Sequence, residues 1–451
     1  MLTRFGVLGG VILAVASVML WAAPSVYPTG TTIYDPAKAW NGYTVLSPLG
    51  TQAAIVIDMN GNVVKRWDGF NNSAGGPSRV LPGGVIVGAA GANPPRQESL
   101  ELVQKDFDDK VVWSFDHSEQ ITLGGAMRWS ARQHHDWQRE DFPAGYYAPG
   151  VTPGTGSNTL VLTHTNHVVP KVSAGNLEDD RILEVAWDGK IAWQWVASDH
   201  IDDFKFSAEA RKAIAGAGGN AARGSFDWIH INSATYVGPN HWFDAGDKRF
   251  APNNVIISSR EASLVAIIAR DGSIAWQIGP DFGASPELRA IRQIIGQHNA
   301  HFIPKELPGA GNLMVFDNGG ASGYGAPTSN ALNGTGIFAR PTSRVLEIDP
   351  VTLKLVWSYT SPTFFATNIS GAQRLVNGNT LVTEGPDGRI FEVTKEGAIV
   401  WEYVNPFFGA GTRSSNNVYR AYRLPYEWIP QITRPKETAV TPPAAGEFRV
   451  H

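Results

Sequence analysis

The sequence predicts an all-β protein, a six-bladed β-propeller with short helical insertions on its rim, on three observations. The first is a recurring motif: an apolar pair, an acidic or polar turn, two apolar residues, then Trp. It runs from Ile57 to Trp67, Asp106 to Trp113, Trp187 to Trp193, Arg270 to Trp276, Ile348 to Trp357 and Lys395 to Trp401. Each copy reads as two strands around a tight turn, the outer hairpin of one sheet, and self-similarity at this period marks a repeat architecture. The second is a polar turn followed by an apolar strand between the Trp motifs, as at Pro82–Val87, Asn158–Leu162, Asn253–Ile257, Gly311–Val315 and Asn377–Val382. Another alternating segment precedes each of these, so one unit is four antiparallel strands. The third lies at the two ends, where Gly42–Ser47 and Val418–Tyr422 alternate in the same style. Pairing them closes the ring and removes its exposed edges.

Taken in order, the chain opens with Arg4 and an uncharged, largely apolar run from Phe5 to Ala23; the next charge is Asp35. Positive charge before the run and none just after it puts the body on the non-cytoplasmic side. Residues 1–24 therefore read as a signal peptide or an N-terminal membrane anchor, and the expected location is periplasmic or extracytoplasmic, secreted or membrane-attached. Residues 25–41, broken by Pro28, Gly30 and Pro36, read as a linker, 42–430 as the propeller and 431–451 as a disordered or draped tail. Successive motif Trp residues stand 46, 80, 83, 81 and 44 positions apart, so the three middle units carry insertions. Two of these, Ala208–Ile214 and Pro286–Ile295, place apolar residues at helical spacing. Insertions on a repeat ring usually surround its binding face.

Composition excludes several functions. There is no Cys, hence no disulfide, thiol nucleophile or thiolate-bound metal. The net charge is −4, with no basic stripe, which argues against nucleic acid as a partner.

Seven of the 11 His fall in the first two strands of the long units: His134, His135, His164, His167, His230, His298 and His301. First strands line the channel of a propeller. In an antiparallel pair the start of one strand lies beside the end of the next. That rule places His230 beside Arg260, His298 beside Asp317 and Asn318, and His134 or His135 beside His164 and His167. The pairs His164/His167 and His298/His301 are three apart, and an odd offset on a regular strand sends side chains to opposite faces. Neither pair chelates alone, and no metal is expected. The Trp series reads as packing between sheets.

Several imidazoles with one guanidinium, and no carboxylate pair, suit transfer of an anionic group. Arg offers a planar fork to sulfate or phosphate oxygens, and a neutral imidazole can attack while a second handles the acceptor's proton. A non-catalytic cell-surface propeller binding a protein or glycan, and a metal- or quinone-dependent enzyme of similar shape, are the alternatives.

Gln133-His134-His135-Asp136, Trp228-Ile229-His230-Ile231-Asn232-Ser233, Ser258-Ser259-Arg260, Gly296-Gln297-His298-Asn299-Ala300 and Val315-Phe316-Asp317-Asn318-Gly319 resemble, in this order, the bacterial arylsulfate sulfotransferases. The likeness spans roughly Tyr43 to Pro425. It implies a periplasmic six-bladed propeller that needs no cofactor and no nucleotide sulfate donor. It further implies His298 as a nucleophile forming a sulfohistidine, and His230 and Arg260 binding the sulfate. His135 or its neighbour His134 completes the anion pocket. The implied reaction is ping-pong, from a phenyl sulfate to a phenol. Trp137, Tyr146, Tyr147, Phe364 and Phe365 then read either as an aryl sandwich or as packing. The loop Val237–Asn254, longer than the resemblance implies, reads as a cap over the pocket or a sign of a different substrate.

Overall fold

The computed structural model describes residues 28–442 apart from 50, 71–75, 93–96, 218–223, 321, 323, 325–339 and 410–414. The segment 1–24 and the end of the tail lie outside the described residues. Among the described residues no helix is long and apolar enough to cross a membrane.

Six sheets, each with four antiparallel strands at its core and two with a fifth strand added, make six blades. From the channel outward, blade 1 is Val418–Leu424, Tyr43–Pro48, Ala53–Ile57 and Val63–Asp68; blade 2 is Arg79–Leu81, Val85–Ala92, Ser99–Lys105 and Val111–Phe115. Blade 3 is Gln133–Arg139, Thr159–Val168, Asn176–Val185 and Ile191–Val196; blade 4 is Ile231–Tyr236, Val255–Ser259, Leu264–Ile268 and Ile274–Ile278. Blade 5 is His298–Phe302, Leu313–Asp317, Arg344–Ile348 and Leu355–Tyr359; blade 6 is Gly371–Arg374, Thr380–Glu384, Arg389–Val393 and Ile399–Val404. The last strand of the chain pairs with Tyr43–Pro48, so blade 1 is built from both ends and the ring is closed by backbone hydrogen bonds.

The repeated Trp has one job in all six blades. Each sits on the fourth strand of its blade, counted from the channel, and its indole N–H donates to a carbonyl in the outer turn of the next blade. Trp67 reaches Asp106 at 2.8 Å, Trp113 reaches Trp187 at 3.0 Å and Trp193 reaches Arg270 at 3.0 Å. Trp276 reaches Pro350 at 2.9 Å, Trp357 reaches Lys395 at 2.8 Å and Trp401 reaches Met59 at 2.8 Å, which completes the circle. Each bond ties two neighbouring blades, and at Trp276 and Trp401, where it is buried, the indole N–H must be paired. Trp276→Phe, which keeps the ring and removes the donor, is expected to lower unfolding free energy by about 1–3 kcal/mol in a denaturant titration.

Two expectations need correction, and one element is new. Within the expected linker, Gly30–Tyr34 forms a fifth strand on the outer edge of blade 6, paired with Ile399–Val404. Tyr34 also exchanges backbone hydrogen bonds with Val440 in the tail. The helix expected over Pro286–Ile295 stops at Ile291, because Arg292 takes a φ of +66° that no helix can continue through. Finally, a hairpin of Ser118–Leu123 and Ala126–Ala131 stands between blades 2 and 3, unforeseen in the sequence.

Candidate active site

Blades 3, 4 and 5 open at one end of the channel with the same irregularity. The register of the inner strand slips between Gln133 and Trp137, between Ile231 and Ser233, and between His298 and His301. Each slip has a non-glycine residue at positive φ in or beside it: His135 at +52°, His230 at +50° and Asn299 at +53°. That conformation costs an L-residue about 1–2 kcal/mol, and β-bulges next to active sites re-aim side chains. The bend at His135 also requires glycine opposite it. A Cβ on Gly76 would lie 2.4 Å from the His135 carbonyl oxygen.

The bulges turn His135, His230 and His298 into one cavity of about 320 Å³, shared with Arg260. Gln97, Asn368, Ile369 and Tyr419 line the rest. A larger groove of about 450 Å³ on the outer wall, between Asp202 and Trp276, has no imidazole. The histidine cavity is the chemically equipped one.

His298 is buried, and its Nδ1 lies 2.8 Å from Asn318 Oδ1 and 3.1 Å from the Gly296 carbonyl oxygen. The Asn318 amide nitrogen donates to the carbonyls of Ala366 and Ile369, each at 3.0 Å, which turns its oxygen to the imidazole. Two acceptors at Nδ1 put the proton there and leave the lone pair on Nε2. Burial, with the Arg420 and Arg260 charges, holds the His298 pKa well below the usual value although Asn318 works the other way, so this ring is neutral near pH 7.

His230 has the opposite electrostatics. Burial opposes its charge, but Asp227 lies 2.6 Å from Nδ1 and more than offsets burial, raising the pKa. Asp227 is placed by a short parallel bridge of Phe226–Asp227 to Leu177–Glu178 in blade 3. The Arg260 backbone N–H donates to the His230 carbonyl at 2.9 Å, as the hairpin rule requires, and its guanidinium pairs with Glu261. The rings of His135 and His230 meet edge-on, with centroids 4.9 Å apart.

The channel below is plugged by ions. Arg420, fully buried, sits 3.2 Å from Asp136 and donates to the Asn232 carbonyl at 2.9 Å, and Arg79 holds the other Asp136 oxygen at 2.8 Å. The cavity is therefore a pocket with a charged floor rather than a pore.

The remaining expected site residues separate. Asn318 stands directly behind His298. His134 lies behind the wall, its Nδ1 2.7 Å from that of His135 and its ring stacked on His164 at 3.6 Å. His301 is deeper, bonded to the Tyr146 hydroxyl at 3.0 Å. Asp317 faces away from the cavity, held by Arg344 and Arg340 at 2.6 Å each. His167 points outward, its side chain 41% exposed, and pairs with Asp179. His134, His164, His167, His301 and Asp317 thus do not line the cavity, although sequence reasoning placed them around it.

None of the five candidate aryl-sandwich residues lines it either. Trp137 and Phe364 are buried in the core, Tyr146 is bonded to His301, and Tyr147 stacks on Trp40. The loop Val237–Asn254 joins the far ends of the first two strands of blade 4, so it lies at the other end of the ring, where Trp242 donates to the Gly311 carbonyl. It caps nothing at the cavity.

Sequence reasoning missed Asp227, Tyr419 and Arg420. Tyr419 and Arg420 lie in the expected closing strand Val418–Tyr422, but they are adjacent, and alternation along a strand turns only one of two neighbours to a given face. Asp227, three residues before His230, gave no periodic cue.

Comparison with known proteins finds one family model. Residues 154–406 match the family model described as Arylsulfotransferase (ASST). No curated protein matches the sequence. Similar solved structures include a protein of unknown function from Bacteroides caccae at 11% identity and TM-score 0.46, covering 85% of this chain and 99% of that one. Another is virginiamycin B lyase from Staphylococcus aureus at 12% identity and TM-score 0.34, covering 85% and 87%. A third is the Dos1 propeller at 10% identity and TM-score 0.35, covering 83% and 75%.

Proposed function

Because the chain belongs to the arylsulfotransferase family, we propose that it moves a sulfuryl group from an aryl sulfate to a phenol through a sulfohistidine at His298, with no nucleotide donor. The observation that carries this reading is the Nε2 lone pair of a neutral His298 in a cavity that also holds Arg260 and a His230 whose charge is favoured.

In the donor step Nε2 of His298 attacks sulfur as the bond from sulfur to the aryl oxygen breaks. His230 gives its proton to the departing oxygen, and a phenol leaves. In the acceptor step neutral His230 takes the proton of the incoming phenol, whose oxygen displaces His298 from sulfur. The proton and the imidazole both return to their starting places, so the cycle balances without a co-reactant. Arg260 and His135 hold the sulfuryl oxygens as charge spreads over them, and a buried, preoriented donor is worth more there than in water. Tyr419 and Ile369 offer the aryl ring its apolar wall. We place the reaction outside the cytoplasm, on the charge pattern around Phe5–Ala23.

The direct test is intact mass after mixing the protein with an aryl sulfate and no acceptor. One added sulfuryl group, mapped to His298, is expected; an unmodified protein that still turns over with acceptor present would overturn the sulfohistidine. Arg260→Lys keeps the charge and loses the planar fork, so kcat/KM for the donor is expected to fall about 10²-fold. Steady-state kinetics with a chromogenic aryl sulfate checks it.

A further inference from the structure

Behind the cavity wall, the third strand of blade 3, Asn176–Val185, carries Glu178, Asp179 and Asp180 in succession, all fully buried. Buried carboxylates persist only where each is compensated. Asp179 accepts from the Trp228 indole at 2.7 Å and pairs with His167 at 2.8 Å. Glu178 accepts from the Ser225 hydroxyl at 2.8 Å. Asp180 differs: Oδ2 accepts from the Ile231 N–H at 2.8 Å, while Oδ1 makes no hydrogen bond among the described residues.

That unpaired oxygen faces two imidazole nitrogens. His134 Nε2, itself buried and without a hydrogen bond among the described residues, lies 3.3 Å away. His164 Nε2 lies 3.8 Å from the same oxygen. The two rings are stacked with planes 12° apart, and both Nε2 atoms lie on the side that faces Asp180 Oδ1. The far edge of each ring is engaged. His164 Nδ1 is 3.1 Å from Glu98 Oε1, which Arg132 also holds at 2.8 Å, and His134 Nδ1 is 2.7 Å from His135 Nδ1. With protons on both Nδ1 atoms, the two Nε2 lone pairs and the carboxylate oxygen lie within 4.8 Å of one another, within reach of a single cation.

The separations suit a metal ion. Imidazole nitrogen and carboxylate oxygen bind Zn²⁺ at about 2.0–2.2 Å, and tetrahedral ligands at that radius stand about 3.3 Å apart. A carboxylate on the far nitrogen of a ligating His, as Glu98 is to His164, is the usual outer support of such a site. We propose that His134, His164 and Asp180 bind one divalent cation of the imidazole-preferring kind, with Zn²⁺ as the type. Bound there, it offsets the Asp180 charge and commits His134 to donating Nδ1–H to His135, which sets the tautomer His135 presents to the cavity. The effect on His135 rests on the proposed sulfuryl transfer; the cation site does not.

The test uses the full chain, purified without a metal resin, loaded with Zn²⁺, freed of excess by gel filtration and analysed by inductively coupled plasma mass spectrometry. About one ion per chain is expected, and Asp180→Asn and His164→Gln should each weaken binding about 10-fold or more. A chelator should lower the melting temperature of the wild-type chain and Zn²⁺ restore it. A wild-type chain that retains no Zn²⁺ after loading overturns the proposal, and so does unchanged binding in both variants. Should the variants fail to fold, wild-type metal content and the chelator-dependent melt decide alone. Neither readout needs sulfuryl transfer, so failure here is distinguishable from failure of the proposed reaction.

Discussion

His298→Ala is expected to lower sulfuryl transfer by about 10⁴-fold or more, because a covalent route has no substitute once its nucleophile is gone. The variant should take up no sulfuryl group from an aryl sulfate, whereas the wild-type chain takes up one. Simple damage is separable from chemistry. Removing the imidazole leaves Asn318 Oδ1, now its partner at 2.8 Å, unpaired in a buried site, which costs about 1–3 kcal/mol of stability. A melt therefore shifts modestly while turnover collapses. Free imidazole added to the variant enters the space of the lost ring and should restore part of the rate; no rescue, or turnover close to wild type in the variant, would remove His298 from the mechanism.

The fold was legible because two periodicities survive in the sequence: Trp once per blade, and strand alternation within each blade. The same alternation places His164 and His167 correctly relative to each other. Their strand, Thr159–Val168, pairs residue for residue with its neighbour, so the odd offset buries one and exposes the other. The hairpin rule brought His230 to Arg260 and His298 to Asn318, because the ends of paired strands meet even where the register slips within them. It failed where the backbone leaves the regular strand. His135 and His134 could not be told apart because the positive φ at His135 breaks alternation at that residue, and nothing in a histidine's identity announces it. Asp317 was misplaced by the same margin: it ends a regular strand beside His298, but turns to Arg340 and Arg344 on the opposite face. The channel floor of Arg79, Asp136 and Arg420 joins blades far apart in the chain, and buried ion pairs of that reach leave no local pattern. The expected cap, Val237–Asn254, failed on direction alone, since a loop after the first strand of a blade emerges opposite to a site at that strand's start.

His230→Gln carries the second large effect and, with it, a test of how the proton moves. Losing a positioned acid and base costs about 10²–10⁴-fold in rate. The size should depend on the donor: a phenol acidic enough to leave as phenolate needs no proton, so the penalty shrinks for nitrophenyl sulfate and grows for sulfates of ordinary phenols. The pH profile gives the sign independently. His298 must be neutral, and burial with nearby Arg420 and Arg260 sets its pKa well below 6.5, so the acid limb lies well below that pH. His230 must be protonated for the donor step; against burial, Asp227 raises its pKa above 6.5, so kcat/KM for the donor falls only as pH climbs through that raised value. The productive window lies between the two. Asp227→Asn removes the charge that raises His230, and the alkaline fall should move to lower pH while the acid limb stays in place. His230→Gln should abolish the alkaline fall altogether. If the fall persists unchanged in His230→Gln, the proton comes from elsewhere, and the assignment of acid and base between these two imidazoles is wrong.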